Sequence, residues 1–159
     1  RFEPNDSFGA ATDLGTLGDL TEADLPIHEP YKFDFYLLTA AYSGTLNVDI
    51  LFSNSLGDLT LYVYDSSPSR LAYSISTRDY ESVSVAVTGG ETYYVVVFGS
   101  ADATHPDYDL VIDGPQGPQS VSVYACDLDG DGKSDLLWRE GSTGKYAGTL
   151  MNGLSKGQN

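Results

Sequence analysis

Between Tyr31 and Ile112 apolar and polar residues alternate again and again, and this period of two constrains the chain more than any other feature. Tyr31, Phe33 and Phe35 alternate with Lys32 and Asp34. Leu46, Val48 and Ile50 follow, then Leu59, Leu61 and Val63, then Val83, Val85 and Val87. Tyr93, Val95 and Val97 come next, and Tyr108, Leu110 and Ile112 close the series. Successive side chains of a strand point to opposite faces, so each run reads as a strand with one buried side. Turn-forming clusters separate the runs at Ser43-Gly44, Ser53-Asn54-Ser55, Ser66-Ser67-Pro68-Ser69, Gly89-Gly90 and from Gly99 to Pro106. Six one-faced strands predict two packed antiparallel sheets, an all-β sandwich.

The rhythm stops at GPQGPQ, residues 114 to 119, because Pro115 and Pro118 cannot donate to a sheet ladder and restrict the residue before each. The boundary is placed there: a sandwich over 1–115, a linker over 116–120 and a small unit over 121–159. In the last, VSVYAC (121–126) reads as a strand, DLDGDGKSD (127–135) as a loop, LLWR (136–139) as a strand and KYAGTLM (145–151) as its return. Some 40 residues hold no independent core without a metal or a neighbour.

The loop DLDGDGKSD carries the sharpest chemical signal. Asp127, Asp129, Asp131 and Asp135 stand at positions 1, 3, 5 and 9, and Gly132 permits the turn at position 6. Hard oxygen ligands so spaced wrap one Ca2+, with the Lys133 carbonyl as the position-7 ligand. An EF-hand needs Glu at position 12, which is Trp138 here, and the flanks read as strands. Without a cation, the four carboxylates would repel one another. The lone cysteine, Cys126, allows no internal disulfide, which makes a metal the expected cross-link.

Near the N-terminus, Glu3-Pro4-Asn5-Asp6-Ser7 has two readings. Pro4 biases Glu3 towards an extended conformation, so that Glu3 and Asn5 could aim oxygens the same way; alternatively Asp6 or Ser7 caps a short helical turn over FGAATDL.

Composition excludes several classes of function. With 8 Lys+Arg against 23 Asp+Glu the net charge is −15, so no nucleic acid is expected as a partner, and an anionic membrane surface is disfavoured likewise. No stretch approaches the roughly 18 apolar residues of a membrane span, so membrane insertion is not expected either. Arg1 is not an initiator Met and no signal-peptide segment follows, so the chain reads as a processed or excised piece. His28 and His105 lie in no nucleophile or metalloprotease motif, and His105, within DATHPD, reads as a solvated loop residue. The chain is therefore not expected to be an enzyme.

One surface remains as a ligand-binding candidate. If Tyr31, Phe33, Leu61, Val63, Tyr93 and Val95 point inward, then Tyr36, Tyr62, Tyr64, Tyr94 and Phe98 point outward. Exposed tyrosines suit stacking on sugar rings or anchoring an extended protein. The competing reading buries them as ordinary packing.

The runs EPNDSFGAATDLGTLG, YKFDFYLL, GDLTLYVYD, GGETYYVVV and YDLVI, in this order over roughly 1–113, resemble the bacterial pre-peptidase C-terminal (PPC) domain. The resemblance implies a jelly-roll-like sandwich attached to secreted peptidases and related to collagen-binding domains of bacterial collagenases. It also implies that Glu3, Asn5 and Asp6 supply calcium ligands, helped by the loop before the first core strand, where Glu22, Asp24 and Glu29 are available. Residues 121–153, DLDGDGKSDLLWREGSTGKYAGTLMNG in particular, resemble one VCBS or FG-GAP repeat, which implies a small β-hairpin unit around a calcium loop. The function expected is a non-catalytic, calcium-binding accessory module of a secreted enzyme. Its partners would be the enzyme domain in the same polypeptide and a fibrous protein or polysaccharide. A calcium-rigidified adhesive domain of a cell-surface protein, or a carbohydrate-binding module, is the alternative.

Overall fold

The computed structural model describes residues 2–27, 33–100, 103–117, 121–128, 135–140 and 145–149. The chain divides into two compact units, Arg1–Gly117 and Pro118–Asn159. In the first, the described residues form β1 (Thr12–Leu17), β2 (Asp19–Ile27), β3 (Phe33–Ala40), β4 (Gly44–Leu51), β5 (Leu59–Asp65), β6 (Arg70–Ser74), β7 (Tyr80–Val87), β8 (Thr92–Gly99) and β9 (His105–Asp113). They make two sheets, ordered β1-β3-β8-β5-β6 and β2-β9-β4-β7. Every pairing is antiparallel except that of β1 with β3. The architecture is the expected all-β sandwich.

Alternation explains the core. Leu46, Val48 and Ile50 of β4 and Leu110 and Ile112 of β9 meet Leu59, Leu61 and Val63 of β5 and Val95 and Val97 of β8, all buried in one cluster. Each such side chain contributes about 1.5–3 kcal/mol on leaving water. Among the described residues, no helix is long and apolar enough to cross a membrane.

Three strands, β1, β2 and β6, escape the period-two reading because register shifts break their alternation. β1 loses register between Asp13 and Thr16, where Gly15 adopts φ 80° and donates its N–H to Asp13 Oδ1. β2 bulges between Glu22 and Leu25, where Asp24 has φ 56° and bonds Asp109 Oδ1 through its N–H. Glu22 and Asp24 thus belong to a strand rather than to a loop, while Glu29 lies outside the described residues. β6 is exposed along most of its length.

His105 corrects the reading of a solvated loop residue. It opens β9, is buried, bonds the Ser53 carbonyl through Nε2 at 3.0 Å, and accepts the Asp107 N–H at Nδ1 at 3.3 Å. Phe52 packs edge-on against the imidazole. The bulged pairing of β9 with β2 turns this side chain inward, a change of face that alternation alone does not reveal.

The strand pattern ends at Pro115, yet the chain stays on the sandwich. Gly114 and Pro115 are buried, and the Gly114 N–H and Gln116 Nε2 both donate to Asp19 Oδ1, at 3.1 and 2.9 Å. A side chain at Gly114 would collide with the Gly18 carbonyl, so glycine is required by close approach. The second unit contains β10 (Val121–Cys126), β11 (Asp135–Glu140) and β12 (Tyr146–Thr149), consecutive strands of one antiparallel sheet.

Candidate functional site

The five-stranded sheet carries rings on its outer face. With Leu59, Leu61 and Val63 inward on β5, Tyr62 and Tyr64 point out; with Tyr93, Val95 and Val97 inward on β8, Tyr94 and Phe98 do the same. β3 runs in the opposite phase to the one expected. Its partners across the ladder are Asp34↔Val97, Tyr36↔Val95 and Leu38↔Tyr93, and residues directly opposite share a face. Tyr36 is therefore a core residue, 1% exposed, and Phe33 and Phe35 take the outer positions. Odd and even positions of FDFYLLTA are about equally apolar, so only the pairing register could decide.

Phe8, from a 3-10 turn over Phe8–Ala10, sets its edge against Phe35, Tyr64 and Tyr94, at centroid distances of 4.8, 5.4 and 5.0 Å. The turn has no side-chain cap from Ser7, contrary to the capping alternative; the contact between Phe8 and these rings holds it instead. Phe8, Phe33, Phe35, Tyr62, Tyr64 and Phe98, with Val96 and Arg70, line a cavity of about 420 Å³. Its size falls in the range of small-ligand sites, and its polar groups are few.

Beneath the same sheet lies a polar cluster that no motif announced. Tyr108 donates to Asp34 Oδ2 at 2.5 Å, Tyr36 approaches the same oxygen at 3.3 Å, and the two hydroxyls stand 2.6 Å apart. Burial first, and the Asp34 charge with it, push the Tyr36 hydroxyl far above the ordinary tyrosine range; burial, then Tyr36 and Asp34, do the same to Tyr108. Both phenols stay neutral and act as donors. Asp34 and Tyr108 are 74 residues apart, so only the folded chain brings them together.

The N-terminal metal candidates divide. Asn5 is buried; its carbonyl accepts the Phe35 N–H at 2.8 Å, and its Oδ1 has no hydrogen-bond partner. Glu3 is exposed and accepts the Asn5 N–H at 3.4 Å through Oε2, while Asp6 is half-buried. A buried carboxamide oxygen without a hydrogen-bond partner is a hard oxygen of the kind a calcium ion takes. Among the described residues, no three His, Cys, Asp or Glu side chains gather as a metal-holding group. In the second unit, Cys126 pairs with Asp135 across β10 and β11, so 127–134 is the connection between antiparallel strands. Asp135 is buried and accepts the Leu128 N–H at 2.8 Å, while Asp127 is exposed; Asp129, Asp131 and Lys133 lie outside the described residues.

No protein-family description matches the sequence, and no curated protein matches it. A solved structure does: the pre-peptidase C-terminal domain of collagenase from Bacillus anthracis, at a TM-score of 0.51 and 16% identity, over 64% of this chain and 93% of that one. The sandwich has the fold of that domain. At this identity the likeness concerns architecture, and the ring-lined cavity and polar cluster are described from this chain alone.

Proposed function

We propose that the chain is a non-catalytic, calcium-binding accessory module of a secreted enzyme, which it attaches to a target through the aromatic outer face of the sandwich. The observation that carries this reading is the cavity walled by Phe8, Phe33, Phe35, Tyr62, Tyr64 and Phe98, on a sandwich folded like a domain of a collagenase. Rings held by one another offer contact area at small cost in conformational entropy. Of the expected ligand-binding residues, Tyr62 and Tyr64 line the cavity, Tyr94 supports Phe8 beside it, and Tyr36 is excluded by burial. Retention on collagen, chitin, cellulose and alginate tests the reading. The double variant Tyr62→Ala, Tyr64→Ala should weaken retention by about 1–2 kcal/mol, roughly 5- to 30-fold, while lowering Tm by only several degrees and leaving the protein folded at the assay temperature. Wild-type protein retained on none of the four matrices, or a double variant retained equally, would remove this face from the function.

Calcium belongs to the same proposal. Asp127, Asp129, Asp131 and Asp135, with the Lys133 carbonyl, would hold one ion in the second unit, and Glu3, Asn5 and Asp6 would contribute to another on the sandwich. An ion that binds only the folded state at a hundred times its Kd adds about 2.7 kcal/mol. Melting is therefore expected at a higher temperature in calcium than in chelator, and Asp129→Ala should shrink the difference. Superimposable melting curves for the intact chain would eliminate the calcium role.

A further inference from the structure

We infer that the ring-lined cavity holds the C-terminal aromatic residue of a target protein chain, with its ring between the aromatic walls and its α-carboxylate on the Arg70 guanidinium. The inference rests on the reading of this face as the attachment surface and names the group that is held there. Val96 makes the room. Phe35 and Tyr62 stand opposite it across the two ladders, and Tyr94 and Phe98 flank it on the same face of β8. Residues two apart on a strand share a face, so a valine among these rings leaves a pit in the aromatic layer. Phe8 adds a further wall, edge-on to Phe35, Tyr64 and Tyr94, and the resulting cavity measures about 420 Å³. Walls of this kind suit one more ring, because aromatic pairs settle edge-to-face or offset.

A register shift supplies the charge. β5 pairs Val63 with Ala72 and then Tyr64 with Arg70, which leaves Leu71 as the extra residue of a bulge. Unbroken pairing would set Leu71 opposite Tyr64 and Arg70 opposite Asp65, on the other face. The bulge re-aims Arg70 onto the face of Tyr64. There its guanidinium lies over the Tyr73 and Tyr62 rings, at 4.7 and 5.9 Å, and lines the cavity. A guanidinium held over rings keeps the N–H groups of its own plane for a carboxylate. Among the described residues no carboxylate pairs with it, and Asp65 is occupied by the N–H groups of Ser67 and Ser69. In a chain with 23 Asp+Glu against 8 Lys+Arg, the cavity lining contains an arginine and no acid. The pit thus selects a carboxylate on a molecule whose overall field repels polyanions. Sugar hydroxyls would find few partners, since the lining side chains offer only the Tyr62 and Tyr64 hydroxyls and Arg70. A polypeptide carries a ring and a carboxylate on one residue only where it ends in Phe, Tyr or Trp.

The test titrates the intact, isotope-labelled chain with three acetylated peptides and follows its amide resonances by NMR. The peptides are Gly-Ser-Gly-Phe as the free acid, the same sequence as the C-terminal amide, and Gly-Ser-Gly-Ala as the free acid. Saturable shifts at Tyr62, Arg70 and Val96 are expected with the first, binding weaker by about tenfold or more with the amide, and none with the alanine peptide. Arg70→Gln should lower binding of the acid to that of the amide and leave the amide as it was, a split that general loosening of the fold would not give. Val96→Phe, which fills the pit, should abolish binding of both. The inference is overturned by equal binding of acid and amide, by binding of neither, or by an Arg70→Gln chain that still prefers the acid. In each of those cases, retention on a matrix that is lost in the Tyr62→Ala, Tyr64→Ala variant would leave the attachment reading standing. An oligouronate that gives the same shifts and binds more tightly than the peptide acid would overturn it in favour of an acidic polysaccharide.

Discussion

Above pH 10 the sandwich is expected to lose stability at about 2.7 kcal/mol per pH unit through the buried Tyr36 and Tyr108. The unfolded chain releases the Tyr36 and Tyr108 protons near pH 10, the ordinary tyrosine value. The folded chain keeps both, because burial and the Asp34 carboxylate disfavour two phenolates at that position. Folded pKa values raised above the unfolded ones give stability that is complete below pH 10 and falls as pH rises towards the folded values. Each retained proton makes the slope about 1.4 kcal/mol per pH unit, and there are two. Denaturant titrations at pH 9, 10, 11 and 12 measure it. Tyrosinate absorbance provides a second reading, since the Tyr36 and Tyr108 phenols should ionise only on unfolding. The double variant Tyr36→Phe, Tyr108→Phe should be weaker at neutral pH, where Asp34 loses these two donors, and much flatter above pH 10. Equal slopes for that variant and wild type would show that the cluster does not titrate with unfolding.

Tyr36→Ala is expected to cost about 3–5 kcal/mol, the range for truncating a buried aromatic ring. The side chain is 1% exposed, packs edge-on with Phe2 at 6.1 Å, and shares the Asp34 carboxylate with Tyr108. A domain stable by about 5–15 kcal/mol would lose much of its margin. Tyr62→Ala should cost only about 1 kcal/mol, because its half-buried ring leans on Tyr73 and Tyr64 at 6.4 and 6.3 Å at the surface. Equilibrium unfolding of the two variants decides. A cost at Tyr36 no greater than at Tyr62 would return Tyr36 to the outer face and dissolve the buried cluster.

The contrast between these tyrosines shows where the sequence stops speaking. Leu61 and Val63, Val95 and Val97, and Leu110 and Ile112 announce their strands because a buried face and an outer face differ in polarity at every second residue. β3 has aromatic residues on both faces, so its phase was open, and the pairing of Tyr36 with Val95 closed it. β1, β2 and β6 were silent because register shifts interrupt each of their pairings and, in β1 and β6, no residue is fully buried to mark an inner face.

The same division runs through the sites. The aspartates from 127 to 135 are legible because a loop that wraps one ion must carry its ligands at short, regular spacing in the chain itself. The cavity and the polar cluster are assembled from distant segments. Phe8 reaches the rings of β3, β5 and β8, and Asp34 meets Tyr108, because the two sheets bring together strands far apart in sequence. Alternation along each strand thus determined that this chain makes a sandwich and which residues of most strands face inward. Register between strands, set by cross-strand hydrogen bonds and by the packing of one sheet on the other, decided which aromatics are core and which carboxylate is buried beneath them.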